Sequence, residues 1–141
     1  MITFDARFDT TLPGGDGEVD ISALLEAAGQ LGESQAKARI EAGGPGPDGT
    51  DWPDWSPRYA ATRKEGHSLL RGEGNLLDDI AARPPQGDSV SWGSGLVYAG
   101  VHQDGNEDMG IPARPYLGVS AEDAREFEEI GLAHLAQAAG L

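Results

Sequence analysis

Hydrophobic and polar residues alternate from the first positions of the chain. Ile2, Phe4, Ala6 and Phe8 fall on one face of residues 1–9, and Thr3, Asp5, Arg7 and Asp9 on the other. A period of two predicts a strand with one buried face. The Leu-Pro-Gly-Gly-Asp-Gly run at 12–17 is a loop. From about 20 to 42 the period becomes helical: Ile21, Leu24, Leu25, Ala28 and Leu31 share a stripe, and Asp20 stands where an N-cap is wanted. Gly29 and Gly32 interrupt this stripe. Each costs about 1 kcal/mol relative to alanine within a helix, so they predict either close packing against a neighbour or a bend.

The middle of the chain has little periodicity and much punctuation. Residues 43–50, Gly-Gly-Pro-Gly-Pro-Asp-Gly-Thr, can be neither helix nor central strand. Trp52 and Trp55 follow, and Ser56-Pro57 reads as the cap and first residue of a short helix reaching about Lys64. A second short helix is predicted over 75–82, with Leu76, Leu77 and Ile80 inward, ending before Pro84-Pro85. Val90 and Trp92 alternate within 88–94, which predicts a strand. Residues 96–102 fit a helical turn or a strand equally, and 104–110 is a polar loop. Ser120 with Asp123 forms a weak capping box for a last helix whose stripe is Ala124, Phe127, Ile130, Leu135 and Ala138. No internal repeat or domain boundary is visible. The expected architecture is one α+β domain spanning 1–141: a small, mainly antiparallel sheet, including 2–9 and 89–94, packed against helices near 20–42 and 120–138, with long Gly/Pro-rich loops.

Composition makes that core a thin one. Of 141 residues, 38% are hydrophobic and 21 are glycine, which leaves much of the chain to loops and points to contacts between copies as a source of stability. The net charge of −14, from 24 acidic and 10 basic residues, argues against tight binding to nucleic-acid phosphates and to anionic membranes. It suits a surface past which DNA slides without adhering. The absence of cysteine excludes disulfides, zinc ribbons and thiol nucleophiles. No signal peptide and no membrane-length apolar run is present, so a soluble protein made in a host cytoplasm is expected.

Candidate chemistry is sparse. His67, His102 and His134 have no metal-binding spacing, and no cofactor is expected. His102 beside Asp104, with Ser91 or Ser94 as nucleophile, outlines a hydrolase, but Gly93-Ser94-Gly95 lacks the strained Gly-x-Ser-x-Gly turn. The 104–108 segment misses the spacing of a calcium loop, and the Gly/Pro loop lacks the lysine and amides of a phosphate cradle. Trp52 and Trp55 are read as core or interface anchors, their place in a loop favouring contacts with other chains. Arg114, between Pro112 and Pro115, is presented by a stiff backbone and suits a fixed bond to a carboxylate or to backbone carbonyls. Arg58, Arg63 and Lys64 are candidates for contacts with protein neighbours.

The order of motifs goes further. Pro47-Asp48-Gly49, Trp52, Trp55 and Lys64 are followed by Leu69-Leu70-Arg71-Gly72-Glu73-Gly74-Asn75-Leu76. Next come Ser91 to Ser94, Val97-Tyr98-Ala99-Gly100-Val101-His102-Gln103-Asp104-Gly105, and Ile111-Pro112-Ala113-Arg114-Pro115-Tyr116-Leu117-Gly118. This set, from about Gly46 to Leu135, resembles the phage virion morphogenesis family, which includes the tail completion proteins of P2-like phages and the G protein of Mu-like phages. The sequence departs from it at Asp104, where an aromatic is usual, and at Glu73, where Ser or Thr is. The resemblance implies a structural protein without catalytic residues that completes the tail and joins it to the filled head. Related neck proteins act as rings, usually six-fold. The implied partners are further copies of itself, the tail tube protein and a head–tail connector or stopper, with DNA crossing the lumen without specific binding. The implied location is the virion neck. The alternatives are a head assembly factor absent from the finished particle, a small hydrolase using His102, and an acidic mimic of DNA.

Overall fold

The computed structural model describes residues 2–7, 21–72 and 74–138. The 12–17 loop, the Asp20 cap, Phe8 and Asp9 at the end of the first strand, and Glu73 lie outside the described residues, as does the side chain of Ala138. Strand β1 (Ile2–Arg7) pairs antiparallel with β3 (Ser89–Ser94), Phe4 opposite Trp92 and Ala6 opposite Val90. A two-residue strand, β2 (Ala81–Ala82), pairs with the other edge of β3, giving the order β1-β3-β2.

Helix α1 (Ser22–Ala42) runs unbroken across this sheet. It begins without a side-chain cap, Ile21 occupying the N-cap position. Its two mid-course glycines serve close packing. A Cβ on Gly32 would stand 2.3 to 2.5 Å from the Trp92 ring, and one on Gly29 would stand 2.8 Å from a Val90 methyl. The bulk of Trp92 therefore occupies the space that Gly32 leaves. Phe4 and Phe127 flank that indole, with ring centroids 5.2 and 5.8 Å away. Leu25, Ala28, Ile40, Leu76, Ile80, Val90 and Tyr116 join Trp92 in the core.

Helix α5 (Ala121–Ala138) packs on α1 and opens with the expected box: the Asp123 amide donates to Ser120 Oγ and the Ser120 amide to the Asp123 carboxylate, both at 3.0 Å. Its packed face is narrower than the stripe read from the sequence. Asp123 is buried and Phe127, Ile130 and His134 half-buried, whereas Ala124 and Leu135 are exposed. Those two lie roughly 100 to 120° around the helix from Asp123, beyond the line of contact with α1.

Two middle elements differ from expectation, and a third settles an open reading. Helix α2 is only Pro57–Ala60, not a helix to Lys64, although Ser56 caps it as foreseen by accepting from the Tyr59 amide. It buries no residue, and a helix this short without a packed face has nothing to prolong it. Helix α3 covers Asn75–Asp79 and stops there, because Ala81 and Ala82 pair with β3 instead of continuing the turn. The ambiguous stretch resolves as helix α4 (Ala99–Asp104), and the polar loop after it is a tight turn closed by a bridge between Asn106 and Ile111.

Candidate assembly site

The extended segment after that turn, 111–118, is where the buried polar chemistry concentrates. Its two prolines deny it a strand ladder, so side chains hold it. The Arg114 amide donates to the His102 carbonyl at 2.8 Å. Its guanidinium, with the residue only 6% exposed, donates from Nε to the Pro53 carbonyl at 2.7 Å and from a terminal nitrogen to the Asp54 carbonyl at 3.1 Å. Arg114 thus bonds to carbonyls, with no ion pair to a carboxylate among the described residues, and ties the Trp52–Trp55 loop to α4 and to its own segment.

Gln103 completes the grip. Its Oε1 accepts from the amides of Tyr116 and Leu117, both at 3.0 Å, and its Nε2 donates to the Leu117 carbonyl at 3.0 Å. A primary amide satisfied by three backbone groups behaves like a short piece of sheet. Tyr116 is fully buried, its hydroxyl donating to the Ala99 carbonyl at 2.8 Å; burial foremost, with the charges of Asp104 and Asp79, pushes that phenol well up. The Trp52 indole donates to the Pro115 carbonyl at 2.9 Å.

A second anchor lies between α1 and α5. Arg39 donates to the Tyr116 carbonyl at 2.8 Å and pairs with the Asp123 carboxylate at 2.5 Å, both side chains about nine-tenths buried. Asp123 therefore caps α5 and pairs with α1 through the same oxygen.

The residues singled out in the sequence separate into groups. Trp52, Arg114, Pro115 and Tyr116 come together at the 111–118 anchor. Trp52 is a core residue of its own chain, not a contact with another, because the loop folds its indole under Pro115 and over Gly44. Trp55 is half-buried, meets Tyr59 edge-on, and has the Arg63 guanidinium 5.5 Å from its ring. Tyr98 lies edge-on to His102 at 5.7 Å. Arg58, Lys64 and Pro112 are exposed. Gln103, Arg39 and Asp123 carry more of the geometry than the sequence reading gave them. Asp123 was visible only as a cap, Gln103 only within a motif, and Arg39 gave no signal.

The hydrolase outline finds no support in this geometry. The Ser94 hydroxyl donates to the Asp79 carboxylate at 2.6 Å and accepts from the Leu96 amide, so its proton is directed at an acid, away from any imidazole. His102 Nδ1 is buried and has no partner among the described residues. Among the described residues no group of three or more His, Cys, Asp and Glu is placed to hold a metal ion, and no helix is long and apolar enough to cross a membrane.

Comparison with known proteins bears on the same segments. The sequence profile of the phage virion morphogenesis family matches residues 16–136. It reaches back through α1, so the likeness begins earlier than the motif set after Gly46. A protein G of Escherichia phage Mu, named for capsid assembly, is 34% identical over 118 residues, covering 75% of this chain and 69% of that protein. No solved structure matches.

Proposed function

The chain belongs to the phage virion morphogenesis family, and on that premise we propose that it completes the phage tail as a ring at the head-proximal end, joining the tail to the filled head. One observation carries this reading beyond the family: the buried Arg114 and the half-buried Gln103 commit their side chains to backbone and fix one extended segment in place. None of them opens into a cleft with a nucleophile and a base. Such chemistry builds a rigid docking platform, not a reaction centre. In this reading the ring is six-fold, one face meets the tail tube protein, the other meets a connector or stopper, and DNA passes through the lumen.

The test is to image, by negative stain, particles made without this protein. Tails of abnormal length, or normal tails detached from full heads, are the expected result. Intact, infectious particles would refute it. The name of the Mu relative favours a second reading, an assembly factor for the head that is absent from the finished particle. Failure to form filled heads, together with absence of the protein from a mass-spectrometric inventory of purified virions, would select that reading.

A further inference from the structure

The chain's charge is unevenly spread. Residues 58–72 carry Arg58, Arg63, Lys64 and Arg71 against one carboxylate, Glu65, a net of +3 in a chain of −14. Arg63 lines a groove of about 300 Å³ between this stretch, α3 and α4, and Lys64 and Arg71 line an adjoining cleft that shares His67 and Gly72 with it. Leu70 and Leu76 are the groove's buried floor, and Tyr59, Arg63, Tyr98 and His102 are among its walls. Arg63 is held upright by the Tyr59 hydroxyl at 2.8 Å and by the faces of Trp55 and Tyr59. Arg63 Nε and His102 Nδ1 are buried in these walls without a hydrogen-bond partner among the described residues. At the rim Tyr59, Val97 and Tyr98 are exposed by 49%, 96% and 38%.

We propose that this groove is the receiving half of a head-to-tail contact between copies of this chain, and that the outer face of α5 from the next copy fills it. That face carries Arg125, Glu128, Leu132 and Leu135 at i, i+3, i+7 and i+10, which places them on one line of the helix. Both leucines are exposed, by 61% and 44%, and the exposed carboxylates of Glu122, Glu126 and Glu129 share the helix with them. A leucine stripe flanked by four carboxylates and one arginine complements a groove with a leucine floor, Arg63 in its wall and Lys64 and Arg71 in the cleft beside it. The two symmetric pairings are disfavoured by charge: groove on groove sets cation against cation, and α5 on α5 sets carboxylate against carboxylate. The two halves lie on different surfaces, so each copy gives one and receives one, and the contact repeats around a ring or along a filament. This rests on the self-assembling reading above, but not on where in the particle the ring sits.

The test uses the full chain in sedimentation experiments over a concentration series up to millimolar. Leu132→Asp spoils the giving face, and Arg63→Glu the receiving groove. Tyr98→Asp serves as a second groove variant should Arg63→Glu lower the thermal midpoint. Each variant alone is expected to weaken self-association by about tenfold or more. An equimolar mixture of a face variant and a groove variant is expected to form heterodimers and nothing larger, because one intact contact forms and both remaining ends are spoiled. A wild-type chain that stays monomeric, variants that assemble like wild type, or a mixture without heterodimers would each overturn the contact. If the mixing pattern holds while particles lacking the protein keep normal necks, the contact stands and the proposed position falls.

Discussion

The Arg114 guanidinium ties together stretches of chain some 60 residues apart, the Pro53 and Asp54 carbonyls on one side and its own proline-flanked segment on the other. Arg114→Ala leaves those carbonyls without their donors and removes the packed stem. A loss of about 1 to 3 kcal/mol follows, small enough for the chain to fold and large enough to loosen 111–118. Assembly should therefore suffer more than solubility: a soluble variant with a lowered midpoint that fails to restore infectivity in complementation is the expected result. Full infectivity would remove the segment from the docking platform. His102, next to it, sets a pH dependence. Burial first, and then the Arg114 charge, hold its imidazole below the ordinary histidine value of 6.5. Just below that value the unfolded chain binds a proton that the folded chain refuses, so stability is lost as pH falls through the interval. Asp48 and Asp79 are also shifted down, mainly by hydrogen bonds from Thr50 and from Ser94, but their contribution is lost only below 3.8. Thermal midpoints measured from about pH 7.5 to 5.5 should fall more steeply for the wild type than for His102→Gln. Parallel slopes would show that His102 titrates freely.

At the scale of elements, the junction of α1 and α5 makes a ranked prediction. Ser120→Ala removes one capping bond and costs about 1 kcal/mol. Asp123→Ala removes the reciprocal cap and leaves Arg39 buried without its carboxylate, a loss of about 3 to 5 kcal/mol. Denaturant midpoints should follow that order, and a reversal would mean that Arg39 finds another acceptor. The same junction shows what the sequence made legible. The cap and the start of α5 are local and were readable, and so were β1, α1 and β3, whose periods come from one face turned to the core along their whole length. What sets the edges of the fold is nonlocal. Ala81 and Ala82 are a strand only because β3 lies beside them, α2 ends early because nothing packs on it, and Leu135 faces outward because α1 covers only a narrow line of α5. The candidate site divides in the same way. The stiff Pro112–Pro115 frame and its arginine stood out. The carbonyls that Arg114 would meet, the Gln103 grip and the Arg39 pair depend on contacts 13 to 84 residues apart.

At the scale of the whole molecule the question is what the DNA would meet. In the proposed ring, packaged DNA crosses the lumen on its way out of the head, and a basic lining would bind its phosphates through counterion release and slow its transit. The structure has already committed much of the chain's small stock of cations. Arg7 meets Asp88, Lys37 meets Glu33, Arg39 pairs with Asp123, and Arg114 is buried on backbone carbonyls. Arg58, Arg63, Lys64 and Arg71 are gathered in one stretch, Arg63 in the wall of a groove and Lys64 and Arg71 in the cleft adjoining it, where cations suit the register of a protein contact. With a charge of −14 on every copy, an assembly that turns this stretch toward its neighbours leaves a surface where carboxylates far outnumber the other exposed cations, Arg7, Arg83 and Arg125. We therefore expect the pore of the assembled neck to be acidic or neutral, with the 58–72 stretch at the subunit boundary. A map of pore-lining residues from a virion structure checks both at once. A lumen ringed by arginine or lysine would reverse the mechanism, turning the ring from a sleeve through which DNA slides into a clamp that retains it after packaging.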